Sequence, residues 1–195
     1  MATTQPIREK ENLKNFMAYY QITDPMPRNQ ALIVMGLNTA LRISDILNMK
    51  WGDIYDFGEM HYRLHVYIHE KKTGKFSSIA LNKNVQMALE RLRLERPNAT
   101  AEDYIFTKNN DYSTPLCRSQ AFRIVKNVAQ NTGCNEHISC HSLRKTFGYH
   151  AWKAGTPPVL LMDIYNHSSY RITKKYLGIE QDERDAVFMN TELYE

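Results

Sequence analysis

Between residues 60 and 81 the chain changes its hydrophobic period, and that switch constrains its fold class more than any other feature. Leu64, Val66 and Ile68 alternate with Arg63, His65, Tyr67 and His69, the period of two expected of a half-buried strand. Lys71-Lys72-Thr73-Gly74-Lys75 is a turn signal and Phe76 to Leu81 returns, so the block predicts a β-hairpin with a lysine-rich tip. Most other readable periods are helical. Leu13, Phe16, Met17 and Tyr20 recur at i, i+3, i+4 and i+7 within 6–20, until Asp24-Pro25-Met26-Pro27 breaks the stripe. A second helix is predicted over 28–38, with Arg42 at the junction to a short helix through Ile46 and Leu47. Asn82 is placed to cap a helix that buries Val85, Leu89 and Leu92, and a short strand is expected at Tyr104-Ile105-Phe106.

The C-terminal half continues the helical pattern. A helix over 118–132 buries Ala121, Ile124, Val125 and Val128, with Gly133 just past its end. The next has Ser139 near its start, Gly155 past its end, and a stripe of Leu143, Phe147 and Ala151 predicted to be buried. Pro157-Pro158 opens a short helix through Leu160, Leu161 and Ile164. A helix carrying Tyr176 ends near Gly178, and 182–194 is suited to a last amphipathic one. The expected class is α+β, mostly α with a small antiparallel β-sheet.

With 195 residues, 43% of them apolar, the chain can bury one substantial core, and a single domain over 1–195 is expected. It has no run of 18 apolar residues, so no spanning helix is expected, and residues 1–10 lack the apolar segment of a secretory signal. Cys117, Cys134 and Cys140 are odd in number and lack a Cys-x-x-Cys spacing, which suits a reducing cytoplasm better than a disulfide framework or a structural zinc. The formal charge of +4 is compatible with a polyanionic partner without requiring one.

The C-terminal third gathers reactive side chains. His141 and Arg144 are three apart and share one helical face, which Gly148 extends by a turn, leaving room for a backbone or substrate. Asn166-His167-Ser168-Ser169 follows, and Tyr176 lies nine residues past His167. Two arginines, Arg42 and Arg144, suit charge neutralisation at a phosphate, because a guanidinium offers two parallel donors and stays charged. A lysine at the hairpin tip suits protonation of a leaving alkoxide, and Lys71, Lys72 and Lys75 are all candidates. Tyr176 suits nucleophilic attack once Lys174, Lys175, His167 or the arginines stabilise its phenolate. Periodicity does not select it from Tyr149, Tyr165, Tyr170 and Tyr194, which lie in the same third. Asp45, three residues past Arg42, is placed to orient that side chain or to open a helix.

Taken together, these residues resemble the tyrosine recombinase family, the phage-type integrases. Thr39-Ala40-Leu41-Arg42-Ile43-Ser44-Asp45 looks like the first family box, and Lys71-Lys72-Thr73-Gly74-Lys75 is similar to the hairpin lysine box, where alignment on Thr-Gly favours Lys72. His141-Ser142-Leu143-Arg144-Lys145-Thr146 looks like the second box, and Asn166-His167-Ser168-Ser169 with Tyr176 like the third. The order and spacings match over about 28–180. Two departures stand out: Tyr165-Asn166 replaces the usual Leu-Gly, and the stretch ahead of residue 28 is short for the separate helical DNA-binding domain that most members carry.

The resemblance implies a tyrosine recombinase catalytic-domain fold, a catalytic set of Arg42, Lys72, His141, Arg144, His167 and Tyr176, and no cofactor or metal. It implies that Tyr176 attacks a scissile phosphate of double-stranded DNA and leaves a 3′-phosphotyrosyl link. Arg42 and Arg144 would hold the phosphate with His141 and His167 beside them, and Lys72 would protonate the 5′-oxygen. A 5′-hydroxyl from another strand then rejoins the DNA. The implied assembly is a homotetramer on paired sites, weakly associated or monomeric without DNA, with accessory DNA-bending proteins as further partners. The expected location is the cytoplasm, at the nucleoid of a bacterium or phage host. Two other readings use the same residues: a DNA-binding regulator that does no chemistry, and a relaxing topoisomerase.

Overall fold

In the computed structural model, residues 4–69, 76–108, 111–134 and 137–191 are described. The core is organised around α2 (Pro27–Asn38), where Ala31 to Met35 are each at most 3% exposed. A helix so apolar must be covered on all sides. α1 (Lys10–Ala18), α5 (Lys83–Leu94), α6 (Arg118–Asn131) and α7 (Cys140–Lys153) do this. α1 runs on into a wider π turn at Tyr19–Thr23, and Tyr20 donates from its hydroxyl to the Ile124 carbonyl at 3.2 Å. The Asn82 side chain caps α5 as expected, accepting from Val85 N at 3.1 Å.

The class is as read from the sequence, but the strands form three separate antiparallel pairs. β3 (His65–His69) pairs with β4 (Phe76–Ala80) in the expected hairpin, with Val66 opposite Ile79 and Val66 fully buried. Its lysine-rich tip lies outside the described residues. β1 (Tyr55–Asp56) with β2 (His61–Tyr62), and the preceding α4 (Trp51–Ile54), have no counterpart in the sequence reading. The strand expected at 104–106 is displaced. Tyr104 makes an isolated bridge to Lys50, Ile105 N donates to the Met49 carbonyl at 3.0 Å, and the paired strands are β5 (Thr107–Lys108) and β6 (Asp111–Pro115).

α8 (Pro158–Tyr165), α9 (Tyr170–Leu177) and α10 (Glu180–Met189) complete the chain. A second apolar cluster of Ala40, Tyr149, Leu161, Tyr165, Leu177 and Ile179 ties α7, α8 and α9 together. Residues 4–8 run back along α7. Ile7 N donates to Thr146 Oγ1 at 2.9 Å, His150 Nε2 meets the Ile7 carbonyl at 2.9 Å, and Lys145 Nζ donates to the Thr4 carbonyl at 2.6 Å. Among the described residues no helix is long and apolar enough to cross a membrane.

Candidate active site

Each reactive group is carried by a backbone feature that the sequence builds for a reason. Arg42 is the residue before α3 (Ile43–Leu47), in extended conformation at φ −71°, ψ 145°. Ahead of it Ala40 takes a left-handed φ of 54°, and its carbonyl accepts from Arg144 Nη1. The Arg42 turn and the α7 arginine are thereby fastened to each other. Ser139 opens α7 with its side chain accepting from His141 N at 3.3 Å, while its own N–H donates to Ser142 Oγ at 3.0 Å. Asn166 ends α8 in the left-handed region at φ 55°, ψ 48°, a conformation Asn tolerates better than most residues with a side chain. Ser169 then caps α9, accepting from Ile172 N at 3.4 Å, and α9 carries Tyr176.

These turns bring Arg42, His141, Arg144, His167 and Tyr176 into one neighbourhood. The guanidiniums of Arg144 and Arg42 act electrostatically on both histidines and on Tyr176. The His167 and Tyr176 rings are 5.3 Å apart and nearly edge-on at 72°. His167 Nδ1 is engaged by Thr173 Oγ1 at 3.0 Å, so Nε2 is the nitrogen left for a substrate. Burial pushes both imidazoles below the ordinary histidine value, and Arg144 is the next cause for each. Lys145 and Arg118 add to the effect on His141. Both rings are therefore neutral at pH 7 and able to take a proton.

Tyr176 is only half-buried as a residue, but its hydroxyl oxygen is buried and has no hydrogen-bond partner among the described residues. Burial raises its pKa, and Arg144 and then Arg42 oppose the rise. Arg144 acts on this oxygen chiefly through its charge, because no hydrogen bond of good geometry joins them. A buried phenol without a partner ordinarily costs about 1–3 kcal/mol, so its retention among cations points to use.

Several expectations need correction. Arg144 is 6% exposed, more buried than a cleft-facing residue of α7 was expected to be, because the second apolar cluster packs on that side. Leu143 is buried as predicted but Phe147 and Ala151 are only half-buried, so the predicted stripe of α7 is rotated from the true inner face. Gly148 does not hold space open for a substrate. A Cβ there would come within 2.6 Å of Leu177 Cδ2 and 2.9 Å of the Tyr165 ring, so it is the close-packing point of α7 on α8 and α9. Asp45 opens α3 with its N–H donating to the Arg42 carbonyl at 2.9 Å, and it lines the same cleft as Arg42. Lys72 lies outside the described residues, as do Lys71 and Lys75.

Two clefts share Ile68 of the hairpin as a lining residue. One of about 480 Å³ is lined by Arg144, Ala40 and Phe147, and one of about 470 Å³ by Arg42, Asp45 and Arg118. Arg118, Lys145, Thr173 and Tyr165 also lie beside these groups, and the sequence reading gave none of them a role. Lys145 Nζ lies 5.3 Å from the Tyr176 ring centroid. Arg118 adjoins the chosen residues only in space, whereas Lys145 directly follows Arg144 in the chain and Tyr165 was visible as the departure from Leu-Gly.

The phage integrase family profile matches residues 8–183. The chain is 34% identical over 192 residues to the probable integrase/recombinase YoeC of Bacillus subtilis (strain 168), covering 96% of this chain and 97% of that protein. It is 25% identical over 177 residues to the tyrosine recombinase XerH of Campylobacter jejuni subsp. jejuni serotype O:2, covering 89% of this chain but 48% of that longer protein. The crystal structure of XerA recombinase superimposes with a TM-score of 0.75 at 20% identity, over 98% of this chain and 68% of XerA, and shows the shared fold. A family profile that spans most of the residues, and a relative matched almost end to end, establish that this chain belongs to the phage integrase family.

Proposed function

We propose that this chain cuts and rejoins double-stranded DNA at specific sites, with Tyr176 as the nucleophile. The observation that carries the reading is the buried, unpartnered Tyr176 hydroxyl beside two neutral histidines and within the field of Arg144 and Arg42. Attack by its oxygen on a phosphorus forms the 3′-phosphotyrosyl bond and breaks the bond to the 5′-oxygen. The two arginines offset the charge that builds on the phosphoryl oxygens, where preorganised cations are worth most. His167 Nε2 or His141 takes the phenolic proton, and Lys72, by resemblance, gives one to the departing 5′-oxygen. A 5′-hydroxyl then reverses the sequence. The protein–DNA ester conserves the bond, so rejoining needs no nucleotide cofactor.

Attack also requires the hydroxyl to leave its buried position, so α9 must shift when DNA seats on the arginines. One catalytic domain is the unit we infer, and its working place is the cytoplasm, on the nucleoid. For paired-site exchange we infer a tetramer in which C-terminal segments pass between protomers. Support comes from α10, which buries no side chain, and from its Val187, Phe188 and Met189, which are 64%, 78% and 76% exposed.

The test is a nicked duplex carrying the chain's target site, on which the cut strand loses its short product and traps the enzyme. The parent is expected to accumulate a covalent protein–DNA adduct, and Tyr176→Phe to form none. An adduct that persists in Tyr176→Phe assigns the nucleophile elsewhere. Binding to the site with no adduct from the parent favours a regulator that does no chemistry.

A further inference from the structure

Tyr165, the residue that stands where family members usually carry Leu, is packed against three of the site groups at once. Its hydroxyl donates to the Arg144 backbone carbonyl at 2.7 Å. Its ring lies 4.7 Å beneath the Arg144 guanidinium carbon. The same ring stacks on His167 at 5.6 Å and 28°, and contacts Tyr176 at 5.3 Å and 51°. The side chain is 2% exposed, and the absence of a Cβ at Gly148 makes its place. From this we propose that Tyr165 is a positioning residue for DNA cleavage, holding the Arg144 guanidinium in the plane that meets the scissile phosphate. The inference rests on the strand-cleaving function proposed above.

The physical case has two parts. An aromatic face attracts a guanidinium laid over it, an interaction that a leucine of similar bulk cannot supply. The hydroxyl anchors the ring to the backbone of the arginine it supports, so side chain and main chain of Arg144 are fixed by one residue. Arg144 Nη1 is also committed to the Ala40 carbonyl, which leaves its other donors for a phosphate. A guanidinium so clamped from below and from one edge loses little freedom when the substrate arrives. With leucine at 165 the ring beneath the guanidinium and the anchor on the Arg144 carbonyl are both lost, while the Ala40 contact stays.

The test compares two trapped substrates, one with an ordinary scissile phosphate and one with a methylphosphonate there. The methylphosphonate lacks one negative charge, so its cleavage depends less on a well-aimed arginine. The measured quantity is the ratio of adduct-forming rates on the two substrates at saturating DNA, which partial unfolding leaves unchanged because it lowers both rates together. For Tyr165→Leu the phosphate-to-methylphosphonate ratio is expected to fall by about tenfold or more, since ångström misplacement of a catalytic group can cost on the order of a hundredfold. Tyr165→Phe keeps the ring and core volume and should lower the ratio by about threefold, so it decides the matter if the leucine variant does not fold. On the phosphate substrate, the DNA concentration for half-saturation should stay within about twofold while the saturated rate falls. A ratio equal to the parent's in both variants overturns the proposal, as does a loss confined to half-saturation. A parent that forms no adduct overturns the functional reading itself, and this inference with it.

Discussion

His167 and His141 stand beside the nucleophile in a field of cations, and that sets how the protein responds to pH. Their folded values are held below 6.5, first by burial and then by Arg144. The folded state therefore resists protonating them. The stability they contribute is complete above pH 6.5 and is lost as pH falls through their depressed folded values. The carboxylates with lowered values, Asp56, Glu90 and Asp111, start from ordinary values of 3.8, 4.5 and 3.8 and act lower on the scale. The interval between about pH 4.5 and 6.5 thus belongs to the histidines. The urea midpoint is expected to fall across that interval, and His167→Gln to flatten the fall, as read by far-ultraviolet circular dichroism. Adduct formation on the folded protein should hold until pH passes below the depressed folded values and then drop by up to about tenfold per pH unit, because a protonated imidazole cannot accept the phenolic proton. Toward alkaline pH the rate should rise, since the Tyr176 value lies above 10 and the phenolate is the reacting form. A midpoint flat from pH 6.5 to 4.5 in the parent would show that the half-buried His167 is not held below its ordinary value.

The elements that carry these residues were unevenly legible. α5 and α6 follow from periodicity and capping because each lays one apolar stripe on one core, with Val85, Leu89 and Val125 fully buried. α7 was placed correctly but its inner face was not. It touches two cores, and the second turns Arg144, Gly148 and Tyr149 inward, a pattern no amphipathic stripe announces. β1, β2 and β5 are two residues each, too short for any period to show. In the site itself, residue chemistry nominated the arginines and histidines, but only the resemblance picked Tyr176 among five tyrosines. The contact of α7 with α8 and α9 offers a test at this scale. Gly148→Ala places a methyl against Tyr165 and Leu177, both buried at 2% or less, so α8 and α9 must move apart from α7. We expect a loss of about 1–3 kcal/mol in unfolding free energy and a disproportionate loss of cleavage, because His167 and Tyr176 ride on the displaced segments. Gly36→Ala is the control. Its Cβ would also meet a side chain, Leu143 Cδ1 at 2.6 Å, but that contact joins α2 to α7 and leaves α8 and α9 in place. Equal loss of cleavage per kcal/mol in the two variants would show that α7–α9 packing has no special hold on the site.

At the scale of the whole molecule the question is what α10 is for. It is held to its own chain by charge: Arg8 Nη1 to Asp182 at 2.8 Å, Lys174 to Glu183 at 3.0 Å, and the Tyr170 hydroxyl donating to Glu183. The ion-paired side chains are 26–31% exposed, and pairs so exposed are each worth about 0.2–1 kcal/mol and weaken with salt. Val187, Phe188 and Met189 at the far end are exposed, and full burial of such side chains is worth about 1.5–3 kcal/mol each. Docking that end on another protomer can therefore outweigh every described contact that holds the helix at home. α8 presents an exposed apolar strip of its own, Val159, Leu160 and Ile164, at 72%, 53% and 41%. Phe188→Asp should leave the urea midpoint and the rate of adduct formation on a single nicked site within about twofold, because the side chain touches neither core nor active site. Strand exchange between two sites should fall by about tenfold or more, and the slow-migrating complex on paired DNA should disappear from native gels while single-site complexes persist. If Phe188→Asp assembles on paired sites and exchanges strands as the parent does, the exposed end of α10 is not the joint between protomers, and the helix serves only as a charged brace behind Tyr176.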